Sequence, residues 1–247
     1  MDTDVSPYDS GSYASSTAYL TGGAVVKTCD SMIEKILEKG AEYLEAPADQ
    51  VDFDGKKVYR LDGTGEIRLK DIGNRAMCGN GSALEVTESN TSPTSPPPFM
   101  VGMAEVEVDR QTGAVKLLNY AAVVDCGTPI NPNLTRIQTE GGLAQGIGMA
   151  LYEDVNYSPK GQVRENSLMQ YKIPTRLDVG TIRVEFESSY ERTGPFGAKS
   201  IGEVVINTPS PAIASAVAHA AGVQIRELPI TAEKVFRGIC QHSHLET

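Results

Sequence analysis

Tryptophan is absent from this sequence, and Phe, Tyr and Trp together supply only 6% of its residues. So thin a set of ring faces weighs against a protein that stacks exposed bases along a single strand. Positive charge is scarce too. The 22 Lys and Arg stand against 32 Asp and Glu, a formal net charge of −10, and no basic cluster gathers them. A phosphate backbone needs such a cluster, so no nucleic acid partner is expected. Cys29, Cys78, Cys126 and Cys240 form no CxxC pair. That leaves neither an iron–sulfur or zinc ligand set nor a disulfide framework, and it fits a reducing cytoplasm. No apolar run approaches the roughly eighteen residues of a membrane-crossing helix. The start, Met1-Asp2-Thr3-Asp4, is acidic and lacks the apolar core of a secretory leader. Both features predict a cytoplasmic protein with no membrane partner.

Other signatures are missing as well. Histidine is limited to His219, His242 and His244, and no GxSxG occurs, so a Ser-His-Asp hydrolase has little footing. There is no GxGxxG on a strand-to-helix turn, which removes the dinucleotide-binding reading. An acidic chain can still hold an anionic cofactor through backbone N–H groups and hydroxyls, because those dipoles act locally.

What is present is an ordinary globular composition, 40% hydrophobic and 22% charged. After a Ser-, Gly- and Tyr-rich loop (Ser6 to Gly23), apolar spacing at Val25, Cys29, Ile33, Ile36, Leu37 and Leu44 predicts a helix over 24–44. Residues 87–98 carry Pro93, Pro96, Pro97 and Pro98 among Ser and Thr and read as an extended surface connection. Alternation over 104–109, a Gln111-Thr112-Gly113 turn and a strand over 115–124 predict a hairpin. A helix is expected from about Asn133; its Gly141, Gly142, Gly146 and Gly148 suit close packing better than exposure. A strand over 182–187, an Ala-rich helix over 210–221 ended by Gly222, and a last helix over 231–239 with Thr231 as N-cap complete the reading. Without a regular βαβ rhythm the class is α+β. The whole of 1–247 reads as one domain, with 87–98 the place where two subdomains could join.

Three segments can carry chemistry. Ser12, Ser15, Ser16 and Thr17 present hydroxyls ahead of a helix, as a phosphate site would or as a plain capping turn would. Gln138 and Gln145 share a helical face and offer donors and acceptors to a flat heterocycle, or else satisfy a close-packed helix. Glu203 follows Gly197-Ala198-Lys199-Ser200-Ile201-Gly202 and precedes Val204-Val205-Ile206. An apolar run there would shield the carboxylate and make it a general base, whereas the bland alternative is a carboxylate beside a helix end. Cys78 reads as a core or surface thiol with no partner base.

In order along the chain, Ser12-Tyr13-Ala14-Ser15-Ser16-Thr17 with Gly22-Gly23-Ala24, Ala104 to Asp109, Asp125-Cys126-Gly127 with Ile130-Asn131-Pro132, Gln138 to Gly148, Tyr171-Lys172-Ile173-Pro174, Gly197 to Glu203 and Arg226 to Thr231 resemble the molybdenum-binding subunit of the xanthine dehydrogenase and aldehyde oxidase family, the molybdenum hydroxylases. The resemblance spans nearly the whole chain. It implies an oxidoreductase that hydroxylates a carbon of an N-heterocycle such as a purine, or of an aldehyde, with water as the oxygen source. Glu203 then matches the general base, Gln138 the glutamine that bonds the pterin, and Ala14-Ser15-Ser16-Thr17 the cradle of the cofactor. Gly202 matches the residue that keeps the base close to the metal. The cofactor implied is molybdopterin with molybdenum held through its dithiolene and not by a side chain, the cytosine dinucleotide form being the common bacterial one. The resemblance also makes this chain the C-terminal half of that subunit. Its partners would be the N-terminal half, an iron–sulfur subunit carrying [2Fe–2S] clusters and an FAD subunit, with a small-molecule substrate. The competing readings are a non-catalytic fragment or assembly module that binds no cofactor alone, and reductive chemistry on an aromatic thioester.

Overall fold

Residues 22–43 contain no proline, and Gly22–Tyr43 form helix α1. The computed structural model that shows this describes residues 4, 8–9, 11–78, 83–92, 94–187 and 189–243. The chain divides into two compact units, one formed by 19–94 and the other by 1–18 with 95–247.

In the smaller unit α1 is followed by β1 (Val51–Phe53), β2 (Lys57–Arg60) and β3 (Glu66–Arg68), an antiparallel meander, and by α2 (Leu69–Cys78). Ile36, Ala41, Val51, Val58, Ile67 and Ile72 form its core. The apolar stripe read along α1 is only half a core stripe. Ile36 is buried, but Val25, Cys29 and Ile33 face solvent. The reason lies in what covers the helix. Residues 83–92 and 94, with no regular structure of their own, run along α1 as a polar strap. Lys35 donates to the Glu85 carbonyl (2.6 Å), Ser31 to Glu88 (2.7 Å) and Asn90 to the Leu20 carbonyl (3.1 Å). The Tyr19 hydroxyl lies 3.1 Å from that of Ser92 and 3.2 Å from that of Thr94. The expected extended connection is therefore tied down over the part of 87–98 that falls in this unit.

The larger unit is built on the hairpin of β4 (Phe99–Val108) and β5 (Val115–Asp125), with β6 (Thr181–Phe186) parallel to β5 on its far side. β4 begins five residues earlier than its alternation suggested. Its inner positions, Met100, Ala104, Val106 and Val108, pack on the core, while Phe99, Val101 and Met103 point outward. Against the inner face lie α3 (Pro132–Leu151) and α5 (Pro209–Ala221), burying Leu143, Ile147, Ile213 and Val217 with Tyr120 and Val124. Short α4 (Val204–Asn207) precedes α5, and α6 (Ala232–Ser243) ends the described chain.

Local chemistry explains the boundaries. Asn131 caps α3 by accepting the Leu134 N–H at 3.1 Å, with Pro132 at the first helical position. Gly222 closes α5 at φ +77°, a left-handed geometry that glycine adopts without penalty. Thr231 accepts the Lys234 N–H at 3.3 Å at the start of α6. The glycines of α3 divide. A Cβ on Gly146 would stand 2.5 Å from the Pro209 ring and one on Gly142 2.2 Å from Val205, whereas Gly141 faces open space. Close packing holds for the first two and not for Gly141.

Candidate functional site

β5 ends on Asp125, and the chain beyond it makes the seat on which the Glu203 loop rests. Asp125 accepts from the Lys199 ammonium at 2.8 Å, from the Gly127 N–H at 3.0 Å and from the Ser189 hydroxyl. Burial pushes its carboxyl upward, but these donors outweigh burial and hold it below the ordinary aspartate range. The Lys199 N–H bonds the Cys126 carbonyl (2.7 Å) and the Thr128 N–H bonds the Gly197 carbonyl (2.8 Å), so the loop is laced to 126–128 through its backbone. Burial pushes the Cys126 thiol up, which makes it an unreactive core group.

The loop then passes α3. The Gln138 side-chain amide lies 3.4 Å from the Gly202 carbonyl, and Glu203 follows as the residue before α4. Val205 is buried beneath α3, with Val204 and Ile206 half-buried. The apolar run thus anchors the loop from below. Because a helix turns successive side chains away from the carboxylate, it does not shield Glu203, which is exposed. The desolvated environment read from the sequence is not formed by this chain's described residues.

Across from Glu203 stands the hydroxyl loop. The Ser16 N–H bonds the Tyr13 carbonyl (3.0 Å), closing a turn whose central residues, Ala14 (φ +49°) and Ser15 (φ +57°), are both left-handed. Positive φ at both central positions marks a type I′ turn, usually built from Asn and Gly. Alanine and serine in that conformation store about 1–2 kcal/mol each. The turn delivers Ser15 to the base. Its Oγ accepts the Glu203 N–H at 2.8 Å and donates to Glu203 Oε2 at 3.0 Å. A Cβ on Gly202 would lie 3.2 Å from that Oγ, so glycine is the residue that leaves room.

These pieces enclose a cavity of about 580 Å³. It is lined by the 12–18 loop, by Leu134, Thr135 and Gln138 of α3, and by Ile201, Gly202 and Glu203. Of the residues read from sequence, Ser12, Ala14, Ser15, Thr17, Gln138, Gly202 and Glu203 meet there, while Ser16 supplies only its backbone and lies outside the lining. Gln145 is exposed and also lies outside it. Tyr13 and Ile201, inside the resembling segments but given no role, and Ala18, Leu134 and Thr135, which no motif marks, complete the wall. Thr17 donates to Ser12 Oγ at 2.8 Å, which leaves the Ser12 hydroxyl proton for another acceptor. The Gln138 carbonyl oxygen has no partner among the described residues. A volume of this size, with the Ser12 hydroxyl proton and the Gln138 carbonyl free and the Glu203 carboxylate on the same wall, has room and polar partners for a heterocyclic cofactor. Among the described residues no group of three His, Cys, Asp or Glu side chains is placed to hold a metal ion directly, and no helix is long and apolar enough to cross a membrane.

With the fold and cavity in view, the chain belongs to the molybdopterin cofactor-binding domain family, whose match covers residues 1–180, and so to the molybdenum-binding subunits of the molybdenum hydroxylases. It is 35% identical over 240 residues to the "Probable hypoxanthine oxidase XdhD" of Escherichia coli K12, covering 96% of this chain and 25% of that protein. It is 33% identical to the "6-hydroxypseudooxynicotine dehydrogenase complex subunit gamma" of Paenarthrobacter nicotinovorans, over 95% of this chain and 31% of that one. Quinoline 2-oxidoreductase from Pseudomonas putida 86 superposes with a TM-score of 0.78 at 29% identity, over 96% of this chain and 32% of that structure. The chain therefore spans a quarter to a third of the relatives it matches, and its α+β class is theirs.

Proposed function

We propose that this chain supplies the general base and one wall of the cofactor pocket in an oxidoreductase that hydroxylates a carbon of an N-heterocycle, such as a purine, or of an aldehyde. Water provides the oxygen. The substrate loses two electrons, two protons are released, and the electrons leave through iron–sulfur and FAD partner subunits. The observation that carries the reading is the place of Glu203. It is a carboxylate on the cavity wall, fixed at its backbone and at Oε2 by Ser15, with Oε1 unpartnered among the described residues. The names of relatives lend support, since hypoxanthine and quinoline are N-heterocycles.

Bound molybdopterin, in its cytosine dinucleotide form, would supply the molybdenum centre that takes up the two electrons. Everything else falls to side chains. Gln138 offers its free carbonyl to a ring N–H, and Ser12, oriented by the Thr17 hydroxyl that donates to it, offers its own proton to a phosphate. Ser16 and Ala14 contribute backbone at the same turn. Gly202 brings the loop into contact with Ser15. Glu203 takes up the proton released as the new C–O bond forms, a role worth about 10²–10⁴ in rate. The rest of the molybdenum subunit would close the cavity and select the substrate.

The test is Glu203→Gln in the enzyme assembled with those partners. Turnover is expected to fall by about three orders of magnitude while elemental analysis finds molybdenum unchanged. Turnover retained at full molybdenum content would overturn the assignment.

A further inference from the structure

The hydroxyls of the 12–17 loop invite a single reading, that all of them face a phosphate or the pterin. The hydrogen bonds divide them. A serine hydroxyl has one proton to give and two lone pairs to receive with. Ser15 gives its proton to Glu203 Oε2 and uses one lone pair for the Glu203 N–H. It has no proton left for an anion unless it releases the carboxylate. Both contacts go to one residue, 188 positions away in the chain. Two further features accompany that approach. The first is a non-glycine left-handed residue at φ +57°. The second is a glycine at 202, where a Cβ would press on the hydroxyl at 3.2 Å. Strain of this kind persists where surrounding contacts over-determine it, and it gathers at functional sites.

We infer that Ser15 is a positioning residue for Glu203, acting through a two-point clamp that fixes the backbone and the carboxylate of the base together, and not a ligand of the cofactor's phosphate. The inference rests on the reading of Glu203 as the base. One point of contact would leave the carboxylate free to rotate about its side-chain torsions. Two points remove that freedom before substrate arrives, which is where positioning yields rate. Phosphate donation is thereby left to Ser12, whose Oγ receives the Thr17 proton and keeps its own, and which lines the same cavity.

Ser15→Gly separates this role from a structural one, because glycine prefers φ +57° and relieves the turn. Two measurements decide it. In the 247-residue chain, amide hydrogen exchange at Glu203 should quicken about tenfold in Ser15→Gly while the melting temperature holds or rises. In the assembled enzyme, kcat should fall about 10- to 100-fold with KM and molybdenum content within twofold, and Ser15→Cys, a weak donor, should recover part of the loss. Unchanged exchange at Glu203 overturns the clamp. So does kcat within threefold of the parent in Ser15→Gly when Glu203→Gln is inactive. A loss of molybdenum in Ser15→Gly would return Ser15 to the cofactor. Should Glu203→Gln remain active, the base reading falls on its own, and the exchange measurement still judges the clamp.

Discussion

Asp125 carries more of the site than its place at a strand end suggests. Its side chain is 21% exposed and that of Lys199 11%, so the pair is partly withdrawn from water. Removing one partner strands the other, which costs roughly 1–3 kcal/mol at a half-buried position. The sign with pH follows from the direction of the shift. A carboxyl held lower in the folded chain than in the unfolded one adds stability above its unfolded value of about 4, and that stability is lost as pH falls through the folded value. Asp125→Asn should therefore lower the melting temperature at pH 7 and leave the parent's advantage shrinking below about pH 4. Thermal melts from pH 3 to 7 on both proteins check this; parallel curves would contradict it.

The same scale marks what the sequence could and could not reveal about the site. Glu203, Gln138 and Ser15, which the structure brings to one cavity, stood out through the family resemblance of their segments, since the residues alone fit a helix end, a close-packed helix and a capping turn equally. The bond between Ser15 and Glu203 was not, since nothing local signals a contact across 188 residues. The shielding of Glu203 was misread for a related reason. An apolar run beside a carboxylate in sequence says nothing of which way the following turn faces, and here Val205 goes to the core instead.

Among the elements, β4, β5 and α5 were readable because alternation, a Gln-Thr-Gly turn and a terminal glycine act over a few residues, whereas the Asn131-Pro132 cap that starts α3 was not read as one. The stripe of α1 was less so, because helical periodicity cannot tell a core from a face that a strap leaves bare. In α3 the helix glycines offer a contrast within one element. Gly146→Ala gains helix propensity but drives a Cβ to 2.5 Å from a rigid proline ring, so a net loss of about 1–3 kcal/mol is expected. Gly141→Ala meets nothing and should gain about 0.5–1 kcal/mol. Urea denaturation of the two variants reads both signs, and a stabilising Gly146→Ala would deny the close approach.

For the whole molecule, the outer face of the hairpin stands out. Phe99, Val101 and Met103 are each more than 60% exposed on an edge strand, and Val101 sits opposite the half-exposed Val123. An apolar edge of this kind promotes self-association when nothing covers it. Val101→Lys should shift the isolated chain towards monomer in sedimentation velocity, with its melting temperature within a degree or two because the side chain already faces water. An unaltered distribution would mean that this face takes no part in association.

The strap over α1 carries a consequence for the order of events at synthesis. Tyr19 waits for Ser92 and Thr94, more than seventy residues downstream, before its hydroxyl finds these partners. A chain made at about 5–20 residues per second would leave α1 without its strap for several seconds. The meander and α2 emerge in between, so α1 is finished only after the elements that follow it.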